Sequence, residues 1–171
     1  MNQDFTSWAL DPVRTLEEQF VAERLVEQGL GFWRHQHNLP APPFNYEKLS
    51  AERKQRALNP AYRPVLRRED VVRAAEGLPA VTSLNLSDSN DRLVRTLQGA
   101  QFVPNVQTLF IHSEGIDDWS ALAALGKLNH LSISDSEAED FRSLGHCAQV
   151  RTLILYTRRP WPRLTGWDGM V

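Results

Sequence analysis

Apolar residues in the second half of the chain repeat one spacing four times. Each copy follows the pattern apolar-x-x-apolar-x-x-apolar-x-apolar, and successive copies begin 25, 22 and 22 residues apart. A period of this size is typical of repeat proteins, in which each unit stacks on the next. The sixteen positions are Leu78, Val81, Leu84, Leu86, Val103, Val106, Leu109, Ile111, Leu125, Leu128, Leu131, Ile133, Cys147, Val150, Leu153 and Leu155.

The end of each copy alternates between variable and apolar residues. Alternation with a period of two predicts a β-strand with one buried face. A single unit of this length cannot bury that face alone, so neighbouring units must supply the missing wall. The pattern therefore predicts four strands side by side in a parallel sheet, within an α/β fold.

The four copies resemble leucine-rich repeats, in particular the short type of about 22 residues found in bacterial proteins and phosphatase regulators. The resemblance covers residues 78–157 and is clearest between Ile116 and Ser134. It implies a short solenoid of about four repeats, with the parallel sheet on its concave face. It also implies that the chain binds another protein.

Residues 1–77 do not repeat, and their pattern predicts helices. Asp11 followed by Pro12 predicts a helix start, and the helix should run to about Gln28 and end at the glycines that follow. A second helix is expected over residues 47–58 and a third over residues 68–76, ended by Gly77. Because a short solenoid exposes the apolar end of its first repeat, we interpret residues 1–77 as a helical N-terminal cap.

Residues 158–171 are rich in turn-forming residues and contain Trp161 and Trp167. We expect this segment to be a C-terminal capping tail that covers the last repeat. The alternative is that it forms part of a binding surface. The predicted organisation is thus a cap (1–77), repeats (78–157) and a tail (158–171).

The composition of the chain excludes several classes of protein. The chain has 171 residues and a net charge of −2, which gives no indication of nucleic-acid binding. Cys147 is the single cysteine, so no internal disulfide and no cysteine-based zinc cluster can form. The sequence shows no secretory signal and no apolar run of about 18 residues that would span a membrane. These features predict a cytoplasmic protein.

Motifs for catalysis are absent from the sequence. His35 and His37 would lie on one side of an extended chain, but no third and fourth metal ligand stands nearby. Cys147 occupies a buried position of the fourth copy, where a thiol is inert. We predict neither a catalytic site, nor a metal, nor a cofactor. The alternative left open is a metal-dependent enzyme that uses clustered histidines, including His112 and His130.

The outward positions of the predicted strands carry the strongest functional signal. Large apolar side chains there, such as Phe110, Ile154 and Tyr156, should be exposed among small polar neighbours, as in protein-binding sites. The alternative is that the cap or the tail covers part of this face. The predicted partner-binding residues are Asn85, Asp88, Phe110, His112, His130, Asp135, Ile154 and Tyr156.

The loops after the second and third strands are strongly acidic. From His112 to Asp140 the chain has seven acidic residues and one basic residue, Lys127, which gives a local charge of −6. Such a charge attracts a basic partner, although it can also serve only to keep a solvated edge soluble. Besides Asp135, the predicted acidic rim consists of Glu114, Asp117, Asp118, Glu137, Glu139 and Asp140.

The sequence therefore predicts a non-enzymatic protein-binding module. Its small size, mild acidity and compact binding face suggest a bacterial immunity protein that neutralises a toxin by occlusion. The expected partner is a protein, with a basic toxin as the specific candidate, and neither a nucleic acid nor a membrane. The alternatives are an adaptor with two partners and the histidine-based enzyme.

Overall fold

The computed structural model describes residues 4–42, 51, 55, 59, 65–86, 94–113, 116, 119–135, 144 and 147–157. This part of the chain combines α-helices with one four-stranded sheet. We number the helices α1 (Phe5–Ala9), α2 (Leu16–Gln36) and α3 (Arg68–Gly77). The strands are β1 (Ser83–Leu86), β2 (Thr108–Ser113), β3 (His130–Asp135) and β4 (Thr152–Thr157).

The sheet is parallel, and its strands lie in chain order from β1 to β4. Equivalent apolar positions pair directly, so that Leu84, Leu109, Leu131 and Leu153 form one row across the sheet. The first three of these leucines are buried, and Leu153 is half-buried at the end of the row. The predicted α/β class and parallel sheet are confirmed, and the alternating pattern also gives the correct strand register.

The same turn precedes each strand. The amide of the second apolar residue in each copy donates to the carbonyl of the first, as in Val81 to Leu78 at 3.0 Å and Val150 to Cys147 at 3.0 Å. The equivalent bonds in the second and third copies are 3.1 Å and 2.9 Å long. Because each turn has the same geometry, each strand begins at the same place relative to its neighbour.

Polar side chains connect consecutive copies at the amino-terminal end of the sheet. The Asn105 side-chain amide donates to the Pro79 carbonyl at 2.8 Å, and Lys127 Nζ donates to Asn105 Oδ1 at 2.7 Å. In the fourth copy Gln149 donates to the carbonyls of Leu122 and Leu125. Asn105, Lys127 and Gln149 all follow the first apolar position by two residues, so the repeat itself places them in line.

This side-chain ladder should contribute measurably to stability. We expect Asn105→Ala to lower the free energy of unfolding by about 1 kcal/mol, because it removes two hydrogen bonds between copies. Asn129→Ala is the matched control, since its side chain is exposed, and it should change stability by less than about 0.5 kcal/mol. Urea denaturation followed by circular dichroism measures both values, and equal losses would contradict a stabilising ladder.

Helix α2 begins later and ends later than the sequence pattern predicts. Thr15 caps it in a capping box, in which the side chains of Thr15 and Glu18 each accept from the other's backbone amide. Asp11 instead accepts from the Val13 amide in the preceding turn. The predicted start at Asp11 is therefore wrong, because a complete capping box stabilises a start more than one isolated cap does.

The predicted end of this helix near Gln28 is also wrong, since α2 continues through both glycines to Gln36. Gly29 lies where α3 crosses α2, and a Cβ there would be 2.5 Å from the Ala74 carbonyl oxygen. On the other helix, a Cβ at Gly77 would overlap the Gly29 carbonyl. The two glycines thus permit a close helix crossing that does not end the helix. The predicted third helix is confirmed as α3, and the predicted helix over residues 47–58 falls mostly outside the described residues.

Helix α1 packs through aromatic side chains on the segment that directly precedes the second copy of the repeat pattern. The Trp8 ring lies 5.3 Å from the Phe102 ring and 6.2 Å from the Phe5 ring, measured between centroids. Gly99, with φ of +103°, leaves space for the Trp8 ring. Trp8 is buried, so this cluster connects the N-terminal segment to the core.

The side of the sheet next to β1 is covered by α2. Arg24 and Gln28 donate hydrogen bonds to the carbonyl oxygen of Asn85 in β1, at 3.4 Å and 3.0 Å respectively. Edge strands with free backbone groups can pair with other chains, so these bonds protect the β1 edge. Strand β4 forms the other edge, and the predicted tail, residues 158–171, lies outside the described residues.

Candidate protein-binding face

The face of the sheet opposite the core presents three rows of side chains. Strand register aligns each row across neighbouring strands, and side chains two residues apart point to the same face. From the amino-terminal end, the rows are Ser83, Thr108, His130 and Thr152; then Asn85, Phe110, Ser132 and Ile154; then His112, Ser134 and Tyr156. We call these residues the outer face.

Two aromatic residues of the outer face are exposed to solvent. Phe110 is 40% exposed and Tyr156 is 63% exposed, and Asn85 and His112 are exposed as well. His130 and Ile154 are half-buried, so the expectation that Ile154 is exposed is only partly correct. Side chains in neighbouring rows lie close enough to shield one another, which the sequence pattern does not show. The described helices leave Phe110 and Tyr156 accessible to a partner.

One ring contact joins β2 and β3 on the outer face. The Phe110 and His130 ring centroids are 6.1 Å apart, and their planes meet at 55°. Phe110 pairs with Ser132 in the register, so the His130 ring reaches it from the preceding row. This contact brings two aromatic rings together on an otherwise polar part of the outer face.

Two serines of β3 are part of the site, although the sequence analysis did not select them. Ser132 stands between Phe110 and Ile154 in one row, and Ser134 stands between His112 and Tyr156 in the next. Both serines are half-buried. Small side chains therefore lie between larger ones along β3. The alignment of the strands, which follows from the repeat spacing, is the signal that could have identified these two serines.

The acidic rim falls largely outside the described residues. This applies to Glu114, Asp117, Asp118, Glu137, Glu139 and Asp140, and the predicted partner-binding residue Asp88 lies outside them too. The backbone of Asp135 is described, and it is the last residue of β3, paired with Ser113 and Thr157. Because the strands are parallel, the described carboxyl ends of β2 and β3, at Ser113 and Asp135, lie at the same edge of the sheet.

The His35 and His37 pair does not have the geometry expected for it. His35 lies in α2, and His37 is the residue that caps its C-terminal end, so the segment is not extended. The His37 ring stacks on Trp33 at 4.4 Å between centroids, and Trp33 Nε1 donates to Glu76 at 2.8 Å. Residues two apart in a helical segment point in different directions. The expectation that His35 and His37 lie on one side of an extended chain is therefore wrong.

Cys147 lies in the core, as predicted. It is 1% exposed, and burial raises the pKa of its thiol. A raised pKa keeps the thiol protonated and less nucleophilic. Within the described residues, no group of three or more histidines, cysteines or acidic residues is placed to hold a metal ion. Nor is any described helix both long and apolar enough to cross a bilayer.

No protein-family model and no curated protein matches this chain. Among solved structures, the chain is similar to an internalin from Listeria monocytogenes, with 20% sequence identity and a TM-score of 0.40. The similarity covers 78% of this chain and 44% of the internalin. The chain therefore spans less than half the length of that protein.

Proposed function

We propose that this chain is a non-enzymatic protein-interaction module that binds its partner on the outer face of the sheet. The observation that carries the proposal is the exposure of Phe110 and Tyr156 on a regular sheet whose core is well buried. Exposed aromatic side chains among small polar residues are typical of the residues that contribute most to binding between proteins.

The proposed architecture is a short leucine-rich-repeat solenoid of about four units, with its sheet on the concave side. The in-register parallel strands and the four equivalent turns support it. In this proposal residues 1–77 form the N-terminal cap, because α2 covers the β1 edge and α1 packs on Phe102, directly before the second unit. Residues 158–171 would cap the other end, next to β4.

A more specific proposal is that the chain is a cytoplasmic bacterial immunity protein. It would bind a toxin and block the toxin's working surface without any chemistry of its own. Its support is the exposed outer face and the acidic sequence that follows β2 and β3. A local excess of acidic residues favours a basic partner and speeds its association.

A capture experiment tests the outer face. Tagged protein should capture a stoichiometric partner from the lysate of its own cells, and the combined Phe110→Ala, His112→Ala and Tyr156→Ala variant should lose it. We expect the triple change to weaken binding about 100-fold or more, because it removes the exposed anchor side chains of the outer face.

The matched control carries changes at exposed residues of the helical half, Val65→Ala and Val72→Ala. This variant should capture the partner as the unchanged chain does, and circular dichroism should show that both variants are folded. Capture that survives the triple change but not the control change would place binding on the helices. If the captured protein is toxic when expressed alone and harmless when co-expressed with this chain, the immunity proposal is supported.

A further inference from the structure

An open cavity lies beside the start of α3, on the helical half of the chain. Its volume is about 610 Å³, which is within the range of ligand-binding sites. Of the described residues that line it, Arg67, Arg68 and Arg73 are basic, and Glu69 is the single acidic one. We call it the arginine cavity. Its charged side chains carry a net formal charge of about +2 at neutral pH, so it is suited to an anion.

Two of the arginines are available to a ligand. Arg67 and Arg68 are exposed. In the part of the chain that the structure describes, no ion pair or side-chain hydrogen bond joins either guanidinium group to another residue. A guanidinium group has five N–H donors in a planar fork, and this fork matches two oxygens of one oxyanion. A bound oxyanion would therefore accept hydrogen bonds from donors that now face solvent.

The third arginine is held in position by an aromatic ring. The guanidinium carbon of Arg73 lies 5.4 Å from the centroid of the Trp33 ring, in a cation–π contact. The Trp33 ring is itself fixed, because its Nε1 donates to Glu76 at 2.8 Å. One Arg73 nitrogen is 3.9 Å from the Asp70 carboxylate, longer than the 2.7–2.9 Å or so of a charge-assisted hydrogen bond. Arg73 is thus preorganised and still has donors for a ligand, which lowers the entropic cost of binding.

We propose that the arginine cavity binds a phosphate monoester group. Such a group carries roughly −1.5 to −2 charges at neutral pH and has three strong acceptor oxygens. This charge balances that of the cavity, whereas a carboxylate, with one negative charge, leaves part of it unbalanced. The described lining residues all lie outside the outer face, so the inference is independent of the proposed function.

The test uses methyl phosphate as the probe. It is titrated into the full chain at low ionic strength and followed by ¹H–¹⁵N NMR. We expect saturable shifts at the amides of residues 67–73, with millimolar affinity. Methyl sulfate has nearly the same shape and only one negative charge, so it should bind about tenfold more weakly. Equal binding of the two anions, no saturable shift, or shifts spread over the whole surface would overturn the proposal.

Matched charge variants locate the site. Arg68→Gln removes one positive charge from the cavity, whereas Arg151→Gln removes one from an exposed arginine directly before β4. Binding of methyl phosphate should fall about tenfold in Arg68→Gln and less than twofold in Arg151→Gln. An equal loss in both variants would show that the anion responds only to the overall charge of the chain, and the proposal would be wrong.

Glu69→Gln gives a change in the opposite direction. It removes the negative charge from the cavity lining, so methyl phosphate should bind roughly threefold more tightly. A variant that only disturbed the fold would lose binding, and circular dichroism checks the fold directly. Unchanged or weaker binding in a folded Glu69→Gln variant would contradict an anion held in this cavity.

Two further probes distinguish the sources of the phosphate group. N-acetyl-phosphoserine methylamide represents a phosphorylated side chain of a protein, and adenosine monophosphate represents a small metabolite. The proposal is supported with a protein source if the phosphoserine probe binds at least as tightly as methyl phosphate and adenosine monophosphate does not exceed it. It is supported with a metabolite source if adenosine monophosphate binds about tenfold more tightly than both. Weaker binding of both larger probes than of methyl phosphate would overturn a site for phosphate monoesters.

Discussion

Gly77→Ala should destabilise the protein by about 3 kcal/mol, although alanine is the better helix former. A methyl group at Gly77 would overlap the carbonyl of Gly29 and lie 2.8 Å from the backbone nitrogen of Trp33. Backbone atoms of α2 cannot rotate away as a side chain can, so the two helices must separate. Separation weakens packing around the buried residues Leu25 and Ala74. For a chain of this size the loss corresponds to a fall in Tm of roughly 6–12 °C.

Gly31→Ala is the control for this prediction. Gly31 also lies within α2, but a Cβ there has open space around it. The substitution should leave stability unchanged or raise it by up to about 1 kcal/mol, since alanine restricts the unfolded chain and favours the helix. Thermal and urea unfolding measure both variants. A Gly77→Ala variant as stable as Gly31→Ala would show that α2 and α3 do not cross at these glycines.

The same glycines show why helix limits were harder to predict than strands. Gly29 and Gly31 look like a helix stop when they are read locally. Gly29 stays helical because it lies in contact with Ala74 of α3. Ala74 is distant in sequence, so the local pattern does not encode this contact. By contrast, the sequence does carry a start signal for α2, the capping box of Thr15 and Glu18. The sequence analysis placed the start at Asp11 and Pro12 instead.

The strands were predictable from the sequence because the same two constraints, side-chain alternation and repeat length, act in every unit. A period of two fixes which side chains are buried, and a repeat of nearly constant length fixes how the strands align. Register at Thr108, His130 and Thr152 follows directly from these two rules. The outer-face rows could therefore be assigned from the sequence alone.

The details of the outer face depend on neighbours that the repeat does not specify. The partial burial of Ile154 and the ring contact between Phe110 and His130 arise from side-chain conformations. The hydrogen bonds from Arg24 and Gln28 to Asn85 join segments about sixty residues apart. Long-range contacts of this kind decide which part of the face stays open, and periodicity carries no information about them.

The second large effect is expected at Trp8, which connects α1 to the segment directly before the second unit. Trp8→Ala should lower the free energy of unfolding by about 3–5 kcal/mol, because the ring is 6% exposed and packs between Phe5 and Phe102. Such a loss is a large share of the roughly 5–15 kcal/mol of a typical domain. Urea denaturation followed by circular dichroism would measure it. A loss below about 1 kcal/mol would mean that α1 does not stabilise the rest of the chain.

A double-mutant cycle with Gly99 tests the contact itself. A Cβ at Gly99 would be 2.6 Å from Trp8 Cη2, and its φ of +103° also strains any other residue. Gly99→Ala should therefore cost about 3 kcal/mol in the unchanged chain, from strain and overlap together. With Trp8→Phe, which lacks the outer ring, only the strain of about 1–2 kcal/mol should remain. Gly126→Ala, which has open space and no positive φ, should stay within about 0.5 kcal/mol in either background. Strictly additive costs at Trp8 and Gly99 would show that the ring does not lie over this glycine. Helix α1 would then need another means of attachment to the repeats.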